Sequence, residues 1–465
     1  MVSAPRLTRF AGGSGAMMGG KESGIIGPAG RGRRMGILLV AAALLALASA
    51  PAALGVERVY WGNGNDTISY ANLDGSGGGG ELNLSGATPS GPRGVAIDSA
   101  AGRIYWANQG NHTISYANLD GSGGGGQLNI SGATASKPHG LAIDPAAGRI
   151  YWANEDNTIA YANLDGSGGS QLDTSGATPA DPYGVAIDLA AGRIYWANRT
   201  TNTISYANLD GSGGGGELNI SGATAIKPHG VVIDPAGTRI YWTNLDSTIY
   251  YANLDGSGGG GPFNTSGATD AGGIGMAIDP ATGRMYWGNL GNDTISYANI
   301  DGSGGGGQLN ISGATPDAPR FVALHRAPSG AGAPQISGGS SVGSVLTCSQ
   351  AAWAPDLFSS FLYRAPQSSA YQWIRGRSMI TGATAGTFKA KKGGSYACQV
   401  TATNQAGSTS QTSARVRIRD PQCKQLRKKR KRQKKNLAKA GTDVRRSAIQ
   451  ANIRDTKKRL AKHGC

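Results

Sequence analysis

Short apolar segments recur along residues 56–326, most of them closed by Asn or Asp and followed by a turn rich in Gly, Ser and Asn. The pair Tyr-Trp marks them at Tyr60-Trp61, Tyr105-Trp106, Tyr151-Trp152, Tyr195-Trp196, Tyr241-Trp242 and Tyr286-Trp287, in steps of 45, 46, 44, 46 and 45 residues. The copy that begins at Gly94 has room for four strands: 94–98, 103–108, 113–120 and 127–130. The first two are apolar almost throughout, as expected of strands covered on both faces. Turn residues at this spacing leave no room for a long helix.

A four-stranded repeat of about 45 residues is the size of one β-propeller blade. The two ends of the array are complementary. The first copy starts at Val56 and lacks the first strand, whereas the last copy is followed by a lone Phe321-Val322-Ala323-Leu324 that matches it. Joining them gives six complete blades and leaves no free sheet edge at the seam. The expected fold is all-β: a six-bladed propeller over residues 54–326.

Composition narrows the class. Gly is 76 of 465 residues, which argues against a helical protein, and the absence of a Gly-X-Y period excludes collagen. The regular aromatic pairs argue against disorder. The net charge of +16 is a misleading average. Residues 51–420 carry 21 Lys/Arg and 25 Asp/Glu, whereas residues 421–465 carry 17 Lys/Arg and two Asp. The body is nearly neutral and the tail is a block of positive charge, so nucleic-acid binding by the whole protein is not implied.

The repeat resembles the YWTD, or LDL-receptor class B, propeller repeat. The matching features are Pro-x-Gly before the first strand, the Ile-Asp that ends it, the Tyr-Trp pair and the Leu-Asp-Gly-Ser turn. The resemblance covers about residues 56–326. It implies a binding module without catalytic machinery in the repeat. This chain departs from the pattern in one respect. Asn63, Asn108, Asn154, Asn198, Asn244 and Asn289 stand where the family has Asp after Tyr-Trp-Thr, which implies a neutral polar network.

Most repeated residues read as structural. The tryptophans fill space between blades. Asp74, Asp120, Asp165, Asp210, Asp255 and Asp301 each precede Gly-Ser-Gly and read as turn caps. They lack the alternating carboxylates of an EF-hand loop. Differences between copies are more informative. The middle residue of Pro-x-Gly varies through Arg93, His139, Tyr183, His229, Ile274 and Arg320, and the loop between the second and third strands varies as well. Both fall on one face, at the mouth of the central channel. Loops on a rigid scaffold commonly carry binding. Arg93, His139, Tyr183, His229 and Arg320 are therefore the candidate ligand site, a cationic and aromatic ring suited to an acidic or sugar-like ligand. A hydrolase or lyase of the lactonase or streptogramin-lyase type is the enzymatic alternative. The ring has no carboxylate, His139 and His229 lie two repeats apart, and no metal or cofactor is expected.

Residues 327–333 read as a linker. Over 334–420 the pattern changes to short alternating strands at 344–348, 370–374, 395–400 and 414–418. Cys348, Trp373 and Cys398 form the Cys-Trp-Cys series of an immunoglobulin-like sandwich, and Tyr396 stands two residues before the second Cys. This segment resembles a bacterial Ig-like domain, which implies a Cys348–Cys398 bridge. Residues 354–369 read as an inserted loop. Residues 421–465 favour helix and read as a basic hairpin, 423–440 and 443–462, capped at Asp443. Folding back brings Cys423 near Cys465 as a second bridge. Its apolar seam (Leu426, Leu437, Val444, Ile449, Ile453 and Leu460) is thin.

Residues 1–53 read as a leader. Arg31, Arg33 and Arg34 precede an apolar run, 37–48, and then small residues, the order of an export signal, cleaved or retained as an anchor. The long stretch before it suggests that Met17, Met18 or Met35 begins the chain. The expectation is a secreted or cell-surface monomer. Its propeller face binds a protein or glycan, and its tail holds an anionic cell-wall polymer or membrane surface. Specific nucleic-acid recognition is not expected, and a structural envelope protein is the remaining alternative.

Overall fold

The computed structural model describes residues 55–465; the expected leader lies outside the described residues. Between Arg58 and His325 the chain forms six antiparallel sheets, and in five of them four consecutive strands lie in sequence order. The sixth is composite. Val322–His325 pairs with Arg58–Gly62 in the register Arg58–His325 and Trp61–Val322, and so supplies the innermost strand of the first sheet. The innermost strands touch one another in order and the last touches the first, so they close a ring. The result is a β-propeller.

The sheets pack because the repeated positions point inward. All six Tyr-Trp tryptophans are fully buried, and they share one core with the Ile and Val residues of the inner strands. Each Asn after Tyr-Trp is buried as well. Asn198 shows how the site is satisfied: its Oδ1 accepts from Trp196 Nε1 at 3.0 Å and from the Ala180 amide at 2.9 Å. Its Nδ2 donates to Thr203 and Ser205. The network is thus built from a neutral amide.

Near the axis the backbones approach too closely for side chains. The Gly94, Gly140 and Gly184 amides donate to the carbonyls of His139, Tyr183 and His229 on the next sheet. A Cβ on Gly94 would stand 2.5 Å from the Leu141 nitrogen. The outer edge differs from the expected 127–130 strand. Each fourth strand is only two or three residues long, such as Gly126–Gln127. The Gly-rich turn before it and the Ser-Gly turn after it confine the ladder, and a short edge strand discourages pairing with other chains. The six Asp residues before Gly-Ser-Gly accept from the amide of the Ser two positions on, for example Asp120 Oδ1 from Ser122 at 2.9 Å.

Beyond the ring, Ile336–Gly338, Val345–Cys348 and Thr387–Lys389 form one sheet, and Ser368–Arg375, Gly394–Asn404 and Gly407–Thr412 lie in another. Cys348 and Cys398 bridge the two sheets, with Trp373 fully buried between them. Tyr396 Oη donates to the Lys392 carbonyl at 2.7 Å. Gly330–Gly332, inside the stretch read as a linker, pairs with Ala352–Trp353.

Residues 356–363 leave the sandwich and enter the ring. A short 3-10 turn, Phe358–Ser360, touches the innermost strands of four sheets. Ser360 Oγ donates to the Ile233 carbonyl at 2.8 Å. Leu362–Tyr363 then adds a parallel strand beside Leu324 and His325. Phe361, Leu362 and Tyr363 belong to the propeller core. This insertion stoppers the end of the channel where the Ile-Asp segments finish.

Helices α1 (Pro421–Ala438) and α2 (Asp443–Lys462) pack on each other, and a disulfide joins Cys423 to Cys465. Asp420 caps α1 by accepting from the Gln422 amide. Thr442, not Asp443, occupies the cap of α2, and Asp443 lies in its first turn. Leu426, Thr456 and Leu460 are buried, whereas Val444 is 84% exposed and takes no part in the seam. The Gly393 amide donates to the His463 carbonyl and docks the end of α2 on the sandwich. Among the described residues no helix is long and apolar enough to cross a membrane.

Candidate functional site at the channel mouth

The glycine-mediated approach of the inner strands sets the geometry of the opposite end. Each Pro-x-Gly places its middle residue where the strands converge. Arg93, His139, Tyr183, His229 and Arg320 are brought together there, and Tyr183 is the centre. His139 stacks on its ring at 4.1 Å and His229 packs T-shaped at 4.9 Å. Phe321 stacks at 6.0 Å, and Arg93 Nη1 donates to Tyr183 Oη at 3.0 Å. The two histidines, two repeats apart in sequence, therefore meet on one tyrosine.

Residues outside the expected set complete the mouth. The Arg199 guanidinium lies 4.9 Å from the Tyr183 ring centroid and pairs with Asp181 at 3.3 Å. Gln109 Oε1 accepts from Arg93 Nε at 2.9 Å. Both come from the variable loop between the second and third strands, which is the signal that marks them in the sequence. Ile274 and Phe321 join Tyr183 in a small apolar cluster. Phe321 stands where the other copies have Gly, a departure visible in the chain.

The electrostatics differ from those of a simple cationic ring. His139 and His229 are 3% and 5% exposed. Burial, with the nearby Arg93 and Arg199 charges, lowers His139 to about 3 and His229 to about 4. Both are neutral at pH 7, so the positive charge comes from Arg93, Arg199 and Arg320. Burial and the Arg93 charge lower Arg320 to about 10. Four polar atoms here are buried without a hydrogen-bond partner: His139 Nδ1, His229 Nδ1, Arg199 Nε and Arg320 Nη1. A buried donor or acceptor left unmade costs roughly 1–3 kcal/mol, so the mouth favours a group that satisfies them. Among the described residues no cluster of three or more His, Cys, Asp or Glu is placed to hold a metal ion.

No family model matches the chain, and no curated protein matches it. Among solved structures it is similar to a chain of a nidogen/laminin complex, at 14% identity and a TM-score of 0.46, covering 58% of this chain and 98% of that one. It is also similar to a functionally unknown protein from Desulfotomaculum acetoxidans, at 15% identity and a TM-score of 0.41, with 58% and 98% covered. A third likeness is to a protein from Lactobacillus plantarum, at 14% identity and a TM-score of 0.40, with 58% and 99% covered.

Proposed function

We propose that this chain is a secreted or cell-surface binding protein. Its six-bladed, YWTD-like propeller is the recognition module, an Ig-like sandwich supports it, and the basic helical hairpin attaches it to an anionic envelope polymer. The observation that carries the reading is the channel mouth. Three arginines surround a tyrosine there, and Arg320 Nη1 is a buried donor with no partner. That arrangement suits a ligand with a carboxylate, phosphate or sulfate oxygen, because a guanidinium pairs with such groups through directed, charge-assisted bonds. Two disulfides support an oxidising compartment.

A glycan and peptide array probed with the purified protein identifies the ligand. Alanine at Arg93 and Arg320 together abolishes binding to each hit at this face, and unchanged affinity in that variant overturns the site. Metal analysis and a lactone and ester hydrolysis screen on the same preparation separate a binder from a hydrolase.

A further inference from the structure

The sandwich and the tail meet in a cationic groove. One wall is the strand Val416–Ile418 and its flanks. Its period of two turns Arg415, Arg417 and Arg419 to the exposed side while Ile418 is buried. The other wall is α1, where Lys424, Arg427, Lys428 and Lys431 recur at the three- and four-residue spacing of one helix face. All seven line one cavity of about 690 Å³. Its single lining acidic side chain, Asp420, is already engaged by His463 Nδ1 at 2.7 Å and by the Gln422 amide at 2.8 Å. A second cavity of about 590 Å³ adjoins it, shares Arg427 and Lys431, and adds Arg430, Lys434 and Lys457. From Lys424 to Lys434 the helix advances about 15 Å, long enough for several successive phosphates.

We propose that this groove binds a linear polyphosphate-type polyanion, lying between the strand and α1. Four observations favour that occupant. Seven cations face one concavity, and among the described residues none of them pairs with an Asp or Glu side chain, while Arg427 and Arg415 each donate to a main-chain oxygen, of Cys465 and Gly376. Four of the seven are arginines, whose fork matches phosphate oxygens. The charges on the strand wall face a concave space, whereas a flat bilayer would rest on the convex helix surface. No aromatic side chain lines either cavity. Single-stranded nucleic-acid sites rely on aromatic platforms for base stacking, so this groove reads charge along a backbone and offers nothing to bases.

The inference rests on the polyanion-binding role of the tail and places half of the site outside it, on the sandwich. The test is fluorescence anisotropy of the purified protein with labelled long-chain inorganic polyphosphate over a salt series. R417A/R419A is compared with R445A/R454A, which removes the same charge from exposed positions on α2 that line neither cavity. The strand pair weakens binding about tenfold or more and lowers the slope of log affinity against log salt by about 1.4, the single-strand scale for two lost contacts. The α2 pair changes affinity less than twofold. Equal losses in both variants overturn the groove and leave a diffuse tail anchor standing. No binding by the wild-type protein overturns both. Oligo(dT) that binds as tightly as polyphosphate of equal charge overturns the choice of occupant.

Discussion

Ser360 Oγ donates to the Ile233 carbonyl at 2.8 Å, fastening an excursion of the sandwich to an innermost strand of the ring. Domains within one chain commonly move relative to each other unless their interface is large and apolar. Here Phe361, Leu362 and Tyr363 are part of the propeller's own core. Leu362 is fully buried, so Leu362→Ala lowers stability by about 2–5 kcal/mol. Urea unfolding followed by Trp fluorescence reads it. A midpoint unchanged from wild type would mean the ring holds without its stopper.

Acid destabilises the fold through histidines held neutral. His139, His229 and His325 lie at about 3, 4 and 3, chiefly because of burial. All are below the ordinary value near 6.5, so the unfolded chain binds protons more readily. The stabilising contribution is fully present above about pH 6.5 and is lost as pH falls toward 3–4. Replacing His325 by Leu flattens the change in denaturation midpoint between pH 7 and pH 4.5. An identical pH profile in that variant refutes the assignment.

The buried Asn hubs are sensitive to loss of either end of the amide. Asn198→Leu strands the Trp196 indole N–H and the Ala180 amide together and costs roughly 2–6 kcal/mol, at about 1–3 kcal/mol for each donor left without a partner. Thermal unfolding by circular dichroism gives the value. An exposed substitution such as Asn65→Ala, in a surface turn, stays close to wild type.

The Cys423–Cys465 bridge spans 42 residues of sequence. In the chain-entropy model such a loop stabilises by about 4 kcal/mol. Cys423→Ser/Cys465→Ser therefore frees the end of α2, and limited trypsin digestion cuts the tail before the rest of the chain. Digestion at the wild-type rate would show that packing alone holds α2.

The sheets were readable because Tyr-Trp, Ile-Asp and Asp-Gly-Ser recur at a nearly constant step, and the orphan Phe321–Leu324 segment pointed to the seam. The Arg that begins each second strand lies over a Tyr of the third, as Arg103 over Tyr116 at 4.8 Å, and follows the same repeat. Long-range pairing was harder to read. The run Leu357–Tyr363 is apolar within a stretch otherwise read as a loop, and nothing local says that it enters a distant ring. At the mouth the five residues were identifiable by variation. Their convergence on Tyr183 depends on how closely the glycine-lined strands approach. The groove was hidden for a related reason: Arg415, Arg417 and Arg419 look like an ordinary solvated strand face until α1 stands opposite.

The composite first sheet has a consequence for biosynthesis. Its outer strands leave the ribosome early, but Val322–His325 emerges some 260 residues later. At about 5–20 residues per second the nascent chain waits roughly 13 to 50 seconds before that partner exists. Through this interval Val59 and Trp61 have no innermost strand beside them, so the newborn chain carries a temporarily sticky edge until its own last repeat arrives.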